Sequence, residues 1–344
     1  MASSRLFLTF TLSAVAFAAT GCGRQPASAI GGGKAGAGTS SAFRVALITS
    51  GPTSDNGWNA GAYAGLQLLK SKLGAQVENV EAPTPGAQQE NLRAFASQGY
   101  NIVIGHGAEY ESAAIRMESE FPKTLFVISS GRRVGVNTTP IVLKLEDGAY
   151  LEGMLAAGMS KSGRIGAVGA EKIVPLESVF SAYAAGAHAV SPSVIVAPPV
   201  FTGDWDDVGK AKQATLALID QGADVVIQDL DAAAAGVFQA VKERDAATHR
   251  IYALGTNSDQ NGVAPNVVLA SAPINIGAAF LQIAQATKNG TFKPNSRPFD
   301  MASGVIGFVI NPELRTEIPP RLEARLASTQ QAIVTGKLVI PQAN

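Results

Sequence analysis

Between residues 43 and 310, short apolar runs alternate with longer stretches whose apolar positions recur every three or four residues. The first pair sets the theme. Phe43 to Thr49 is a β-rich run that breaks at Ser50-Gly51-Pro52, and a helical pattern opens behind Asp55, with Ala62, Leu66 and Leu69 on one face and Gly74 as its stop. The patterning predicts strands over 43–49, 76–81, 101–104, 124–129, 141–145, 164–168, 193–197, 223–228, 250–254, 267–271 and 304–310. Between most of them it predicts helices, over 57–73, 86–98, 109–119, 147–160, 176–190, 206–221, 231–245 and 274–288. Such alternation implies parallel sheets covered by helices on both faces. Eleven strands exceed one comfortable sheet, so two lobes are expected. The break between them is placed near Glu146 to Leu151, where a helix rich in small residues (Gly148, Gly153, Ala156, Ala157, Gly158) suits a crossing between lobes.

Composition narrows the partners. The 344 residues carry 27 Lys and Arg against 27 Asp and Glu, so there is no basic field to hold a phosphate backbone, and nucleic acid is not an expected partner. Hydrophobic residues make up 46% and charged ones 16%, the profile of a packed α/β chain and not of a disordered one.

The amino terminus differs from the rest. An apolar run over residues 6–19 follows Arg5 and ends at Ala19-Thr20-Gly21-Cys22, an export signal with small residues before a cleavage point. At about 14 residues it is shorter than the roughly 20 that a spanning helix needs. Its end resembles a bacterial lipobox, with Cys22 as the acylated residue and Ala19 where a larger aliphatic is usual. Cys22 is also the only cysteine, so no internal disulfide forms. Residues 23–42 are rich in Gly, Ala and Ser and read as a flexible tether, expected to reach roughly 25 Å in root-mean-square terms. The glycines around Lys34 are not a phosphate loop, because no strand precedes them and Ala35 stands where Ser or Thr is required.

Five loops at strand carboxyl ends concentrate polar residues, which is where ligands sit in open parallel sheets. The first carries Asp55, Asn56, Trp58 and Asn59; the second carries Thr202, Gly203, Asp204, Trp205, Asp206 and Asp207. They hold the chain's two tryptophans, and if they face each other across a cleft they can clamp a flat ligand between indoles. Taken singly, each Trp also fits a plug in its own core, and Asp55 a helix cap. The third loop holds His106, Gly107 and Glu109; the fourth holds Asp229 and Asp231, with Gly236 in the helix beyond; the fifth holds Asn257, Asp259 and Gln260.

Catalytic patterns are weak. There is no GxSxG elbow, the lone thiol belongs to the amino-terminal signal, and His106, His188 and His249 lack metal-ligand spacing. Asp206 and Asp207 are more simply explained by the start of a helix. Neither an enzyme nor a cofactor is expected.

From Val45 onward the chain carries, in order, Asp55-Asn56-Gly57-Trp58-Asn59-Ala60, Phe121-Pro122-Lys123-Thr124-Leu125-Phe126 and Tyr150-Leu151-Glu152-Gly153-Met154-Leu155. Gly163 to Gly169, Gly203 to Asp207, Gly222 to Val226, and Ser258-Asp259-Gln260 follow. In this ordered set the chain resembles the basic membrane protein family of ABC-transporter substrate-binding lipoproteins, whose best-described members bind purine nucleosides. The family implies a type I periplasmic-binding-protein fold, α/β, with two Rossmann-like lobes of parallel sheet joined by a hinge. It implies Trp58 and Trp205 stacking on a nucleobase where relatives have phenylalanine, with Asp55 and Asn59 at the base, Asp259 at a ribose hydroxyl and Gly236 lining the pocket. Two departures stand out. No lysine follows Ser271, and the loop GHGAEYES lacks an aspartate that relatives carry, leaving Glu109 or Glu111 to stand in for it.

The resulting expectation is a signal peptide over 1–21, an anchor and tether over 22–42, a first lobe from 43–148 plus 273–302, and a second from 149–272 plus 303–344. The candidate ligand-binding set is Asp55, Asn56, Trp58, Asn59, His106, Gly107, Glu109, Trp205, Asp229, Gly236, Asn257 and Asp259. The expected function is capture of a nucleoside-like solute for an ABC permease and ATPase by a monomer tethered at the outer face of the membrane or in the periplasm. Ligand sensing for a membrane partner, a sugar-type binding protein and a nucleoside hydrolase are the alternatives.

Overall fold

The computed structural model describes residues 42–55 and 57–342. The expected signal segment, Cys22, the tether up to residue 41, and Asn56 lie outside the described residues. In chain order the first part comprises β1 (Arg44–Thr49), α1 (Trp58–Leu73), β2 (Gln76–Glu81), α2 (Pro85–Ser97), β3 (Ile102–His106), α3 (Glu111–Met117), β4 (Leu125–Ser129) and β5 (Thr138–Leu143). There follow α4 (Glu146–Met159), β6 (Arg164–Gly169), α5 (Val174–Val190), β7 (Ile195–Val196), β8 (Val200–Phe201), α6 (Val208–Asp220), β9 (Val225–Asp229), α7 (Ala234–Arg244), β10 (Tyr252–Asn257) and β11 (Val268–Pro273). The last part holds α8 (Ile276–Lys288), β12 (Pro298–Phe299), β13 (Val309–Ile310) and α9 (Pro320–Val334).

The strands form two sheets. One runs β12-β5-β4-β3-β1-β2, entirely parallel. The other runs β13-β11-β10-β9-β6-β7, with β8 also beside β6, and is parallel except where β13 meets β11. β3, β4 and β9 are buried at every position, which is what continuous apolar runs give when helices cover both faces of a sheet. β2, at an edge, has no fully buried position and carries Glu78 and Glu81, charges that discourage further pairing.

Three short segments cross between the lobes: Lys144 and Leu145 after β5, Ile274 and Asn275 after β11, and residues 300–308 between β12 and β13. The second crossing returns α8 to the first lobe, against α1. There Gly65 and Gly277 let the backbones touch: a Cβ on Gly65 would stand 2.8 Å from the Gly277 Cα. The largest apolar cluster is continuous from Val45 and Leu47 through Ala149, Ile276 and Ile306 to Ile165 and Leu254, so one core links both lobes through the crossings.

Several elements depart from the patterning. α4 is an interior helix of the second lobe and not the crossing itself; its Gly153 lies so close to the Tyr183 carbonyl of α5 that a Cβ would overlap it. β8 and β12 were not foreseen, because two-residue strands carry no period to detect. The run over 304–310 narrows to β13. α9 was also missed; its Leu322 sits over Gly158 of α4, and its other faces are polar.

Candidate functional site

The carboxyl ends of both sheets converge on a cavity of about 520 Å³. From the first lobe come Ser50 after β1, Trp58 at the start of α1, Gly107, Ala108 and Glu109 after β3, and Ser130 after β4. Leu145 lines it from a crossing. From the second lobe come Glu171, Ile173, Pro175 and Leu176 after β6, Trp205 after β8, Asp231 after β9 and Asn257 at the end of β10. The two tryptophans therefore border one cavity from opposite lobes.

Trp58 is set by the turn that precedes it. The Asp55 carboxylate, 3% exposed, accepts hydrogen bonds from the backbone N–H groups of Gly57 (2.9 Å), Asn59 (2.7 Å) and Ala60 (2.9 Å) and from the Asn59 amide (2.9 Å). Asp55 thus satisfies the open N–H groups of α1 and fixes the backbone that carries the indole. The indole lies on the His106 ring, with centroids 4.0 Å apart and planes 22° from parallel. Nε2 of His106 is 3.1 Å from the Trp58 carbonyl, which can only accept, so Nε2 carries the proton and Nδ1 accepts from the Ser129 hydroxyl at 2.8 Å. Complete burial pushes the imidazole down to about 4, so it is neutral at pH 7.

Trp205 is held differently. Its carbonyl accepts from the N–H groups of Asp231 (3.2 Å) and Ala233 (3.1 Å), and Asp206 Oδ1 accepts from the Ala232 N–H (3.3 Å). The loops after β8 and β9 are thereby stitched into one piece that presents the Trp205 indole and the Asp231 carboxylate together. Asp231 Oδ1 then accepts from the Trp58 N–H across the cleft at 3.3 Å. Burial, reinforced by the charge on Asp55, pushes Asp231 up to about 7.

Ser130 (φ 56°) and Asn257 (φ 64°) are the positive-φ residues other than glycine among those described; Ser130 follows β4 and Asn257 ends β10, both at the cavity wall, one per lobe. Left-handed backbone at a non-glycine residue costs roughly 1 to 3 kcal/mol and concentrates at ligand sites. Gly107, at φ 148°, meets the same need, since a Cβ there would collide with the Glu109 carboxylate. The cavity walls raise the Glu109 carboxyl above its ordinary range, against hydrogen bonds from its own backbone and from Ser50. Beneath the floor, Asn257 donates to Asp229 Oδ1 at 3.1 Å, and burial pushes Asp229 up to about 6.

Of the sequence candidates, Trp58, Gly107, Glu109, Trp205 and Asn257 line the cavity. Asp55, Asn59 and His106 sit behind its wall as cap and platform, because their polar atoms point to the backbone that holds Trp58. Asp229 lies under the floor. Gly236 is elsewhere: it packs α7 on α6, where a Cβ would overlap the Val208 carbonyl. Asp259 is exposed and accepts from the Asn261 N–H at 3.1 Å. Of the two glutamates after His106, Glu111 is occupied with Arg132 and Arg133 outside the cavity, and Glu109 alone reaches it. Sequence reasoning missed Ser50, Ser130, Leu145 and the 171–176 segment; the apolar pair Ile173-Val174 in the short connection between a strand and a helix was the available signal. Among the described residues no group of three or more His, Cys, Asp or Glu is placed to hold a metal.

Comparison with known proteins assigns this architecture. The family described as ABC transporter substrate-binding protein PnrA-like matches residues 42–343. The chain belongs to that family. Its relatives include a purine-binding protein of Brucella abortus, 28% identical over 86% of this chain and 84% of its own. Another is the transcriptional activator protein Med of Bacillus subtilis, 27% identical over 76% and 80%. The fold is shared with an ABC transporter solute-binding protein of Aeropyrum pernix K1, with a TM-score of 0.78 and 18% identity over 88% of this chain and 94% of that one. This family member is a solute-binding component of an ABC importer with the two-lobed type I periplasmic-binding-protein fold, and its family is one of substrate-binding proteins.

Proposed function

We propose that the protein captures a flat heterocyclic solute of nucleoside type between Trp58 and Trp205 and presents it to a membrane permease. The observation that carries this is that two indoles, 147 positions apart in sequence (205 minus 58) and supplied by different lobes, border one 520 Å³ cavity. A volume of that size suits a single small molecule, and stacked aromatic faces favour a planar one. His106 backs Trp58 so that the ring is fixed before ligand arrives, which spares the complex the entropy of ordering it. The purine-binding relative in Brucella abortus supports the same ligand class. Ligand that touches both lobes favours the closed arrangement by its differential contacts there. Export and acylation at Cys22 would place the protein at the outer face of the membrane, beside a permease and its ATPase.

The test is titration of the purified protein with purine and pyrimidine nucleosides, free bases and sugars, followed by melting temperature and indole fluorescence. A nucleoside that raises the melting temperature and changes the fluorescence supports the reading. Stabilisation by sugars alone would replace it. A second reading, ligand-dependent signalling to a partner, is favoured by the activator from Bacillus subtilis among the relatives; loss of uptake in cells lacking the protein separates transport from sensing.

A further inference from the structure

The charged groups that line the cavity are Glu109, Glu171 and Asp231; among the described lining residues there is no Lys, Arg or His. Cations on the flanking loops form exposed ion pairs of their own. Lys210 pairs with Asp204 and Asp207, Lys172 with Glu177, and Arg133 with Glu111. Arg132 is absent from the lining of the large cavity but lines an adjoining one of about 220 Å³ that shares Ser130, Leu145 and Pro175 with it. His106 is closed off behind Trp58.

Further acids lie beneath the floor. A small cavity of about 20 Å³, room for about one water, shares Leu145 and Asn257 with the large one and is lined by Asp229 and Glu152. Glu152 is completely buried, and neither of its carboxylate oxygens has a hydrogen-bond partner. With a neutral ligand in the cleft these acids are neutralised by bound protons, which is the direction in which burial moves Glu109, Glu152, Asp229 and Asp231. A ligand with a protonated nitrogen takes the place of those protons with charge-assisted hydrogen bonds to Glu109 and Asp231 at the wall, and both indole faces attract it.

We infer that the solute held between Trp58 and Trp205 carries a positive charge: a cationic heterocycle or an amine-bearing aromatic, not a neutral nucleoside. The inference rests on the reading of the cavity as a stacking site for a flat solute and specifies its charge.

The test uses two isomers of one nucleoside. Adenosine methylated on a ring nitrogen is cationic at neutral pH; adenosine methylated on its exocyclic amine is neutral and has the same mass. Thiamine serves as a cationic heterocycle that is not a nucleoside. Affinities for the purified protein are measured by calorimetry at low and high salt. A cationic probe should bind at least roughly tenfold more tightly than the neutral isomer, with the gap shrinking in high salt and in the double variant Asp231→Asn, Glu109→Gln. Tight binding of thiamine with no nucleoside binding would support the charge assignment while removing the nucleoside reading. Neutral nucleosides binding as well as or better than both cations, or failure of both cations to bind, would overturn it; in the first of these cases the nucleoside reading would survive.

Discussion

Asp231 Oδ1, in the second lobe, accepts a hydrogen bond from the backbone N–H of Trp58, in the first, at 3.3 Å. The same residue's N–H donates to the Trp205 carbonyl, so one aspartate ties the two indole-bearing loops together across the cleft.

The tie is pH-dependent. Asp231 is pushed from an ordinary 3.8 up to about 7, chiefly by burial, so between these values the folded protein binds a proton that the unfolded chain has released. Stability from this group is therefore complete below about pH 4, falls as pH rises to about 7, and is flat above. Asn at 231 keeps the acceptor and removes the charge. Asp231→Asn should melt higher than wild type at pH 8, by roughly 1 to 3 kcal/mol after allowance for the partial exposure of the site, and equally at pH 4. Opening of the lobes caps the effect, since it returns the carboxylate to water. A difference independent of pH would refute the assignment.

Each indole should matter to binding. Trp58→Ala and Trp205→Ala are each expected to weaken the solute by about 1 to 3 kcal/mol, and calorimetry with whichever ligand the titrations identify checks it. Wild-type affinity in both variants would sink the clamp.

His106 should act through Trp58. His106→Ala removes the surface beneath the indole, the donor to the Trp58 carbonyl and the acceptor for Ser129, and should cost about 2 to 4 kcal/mol in urea unfolding. The folded imidazole stays neutral down to about pH 4, so wild type loses stability on acidification from 6.5 toward 4, opposite in sign to Asp231. The variant should lack that loss; an unchanged difference between the two proteins over this window would count against a buried neutral imidazole.

The contact of α4 on α5 tolerates no side chain at its centre. Gly153→Ala should destabilise by roughly 3 kcal/mol or more, because the added methyl meets the Tyr183 carbonyl, which cannot withdraw without moving a helix. Gly262→Ala, where a Cβ meets open space, is the control and should be near neutral by the same thermal or urea measurement.

How much of the site was visible beforehand can be judged from particular residues. Trp58 was legible because it follows a clear strand break and opens a helix, and the carboxyl end of a parallel strand is where ligands are met; Trp205 was legible because it stands among carboxylates just ahead of a helical pattern, although β8 before it carried no period. Asp55 illustrates the opposite case. Its type and position fit both a ligand contact and a helix cap, and only the distances to Gly57, Asn59 and Ala60 decided for the cap. His106 likewise looked like a polar handle until its two ring nitrogens were accounted for by Ser129 and Trp58. Gly236 could be read as an opening for a ligand or for a helix, and its neighbour proved to be α6.

The alternation of apolar runs and amphipathic stretches, by itself, determined two covered parallel sheets and the loops at their carboxyl ends, since both follow from local periodicity and chain direction. Which side chains in those loops face the cavity, and which face the backbone behind it, was decided only when the lobes came together. Facing is a matter of a few ångströms and of competing hydrogen-bond partners far apart in sequence, as with Trp58 and Asp231, and a linear pattern carries no term for either.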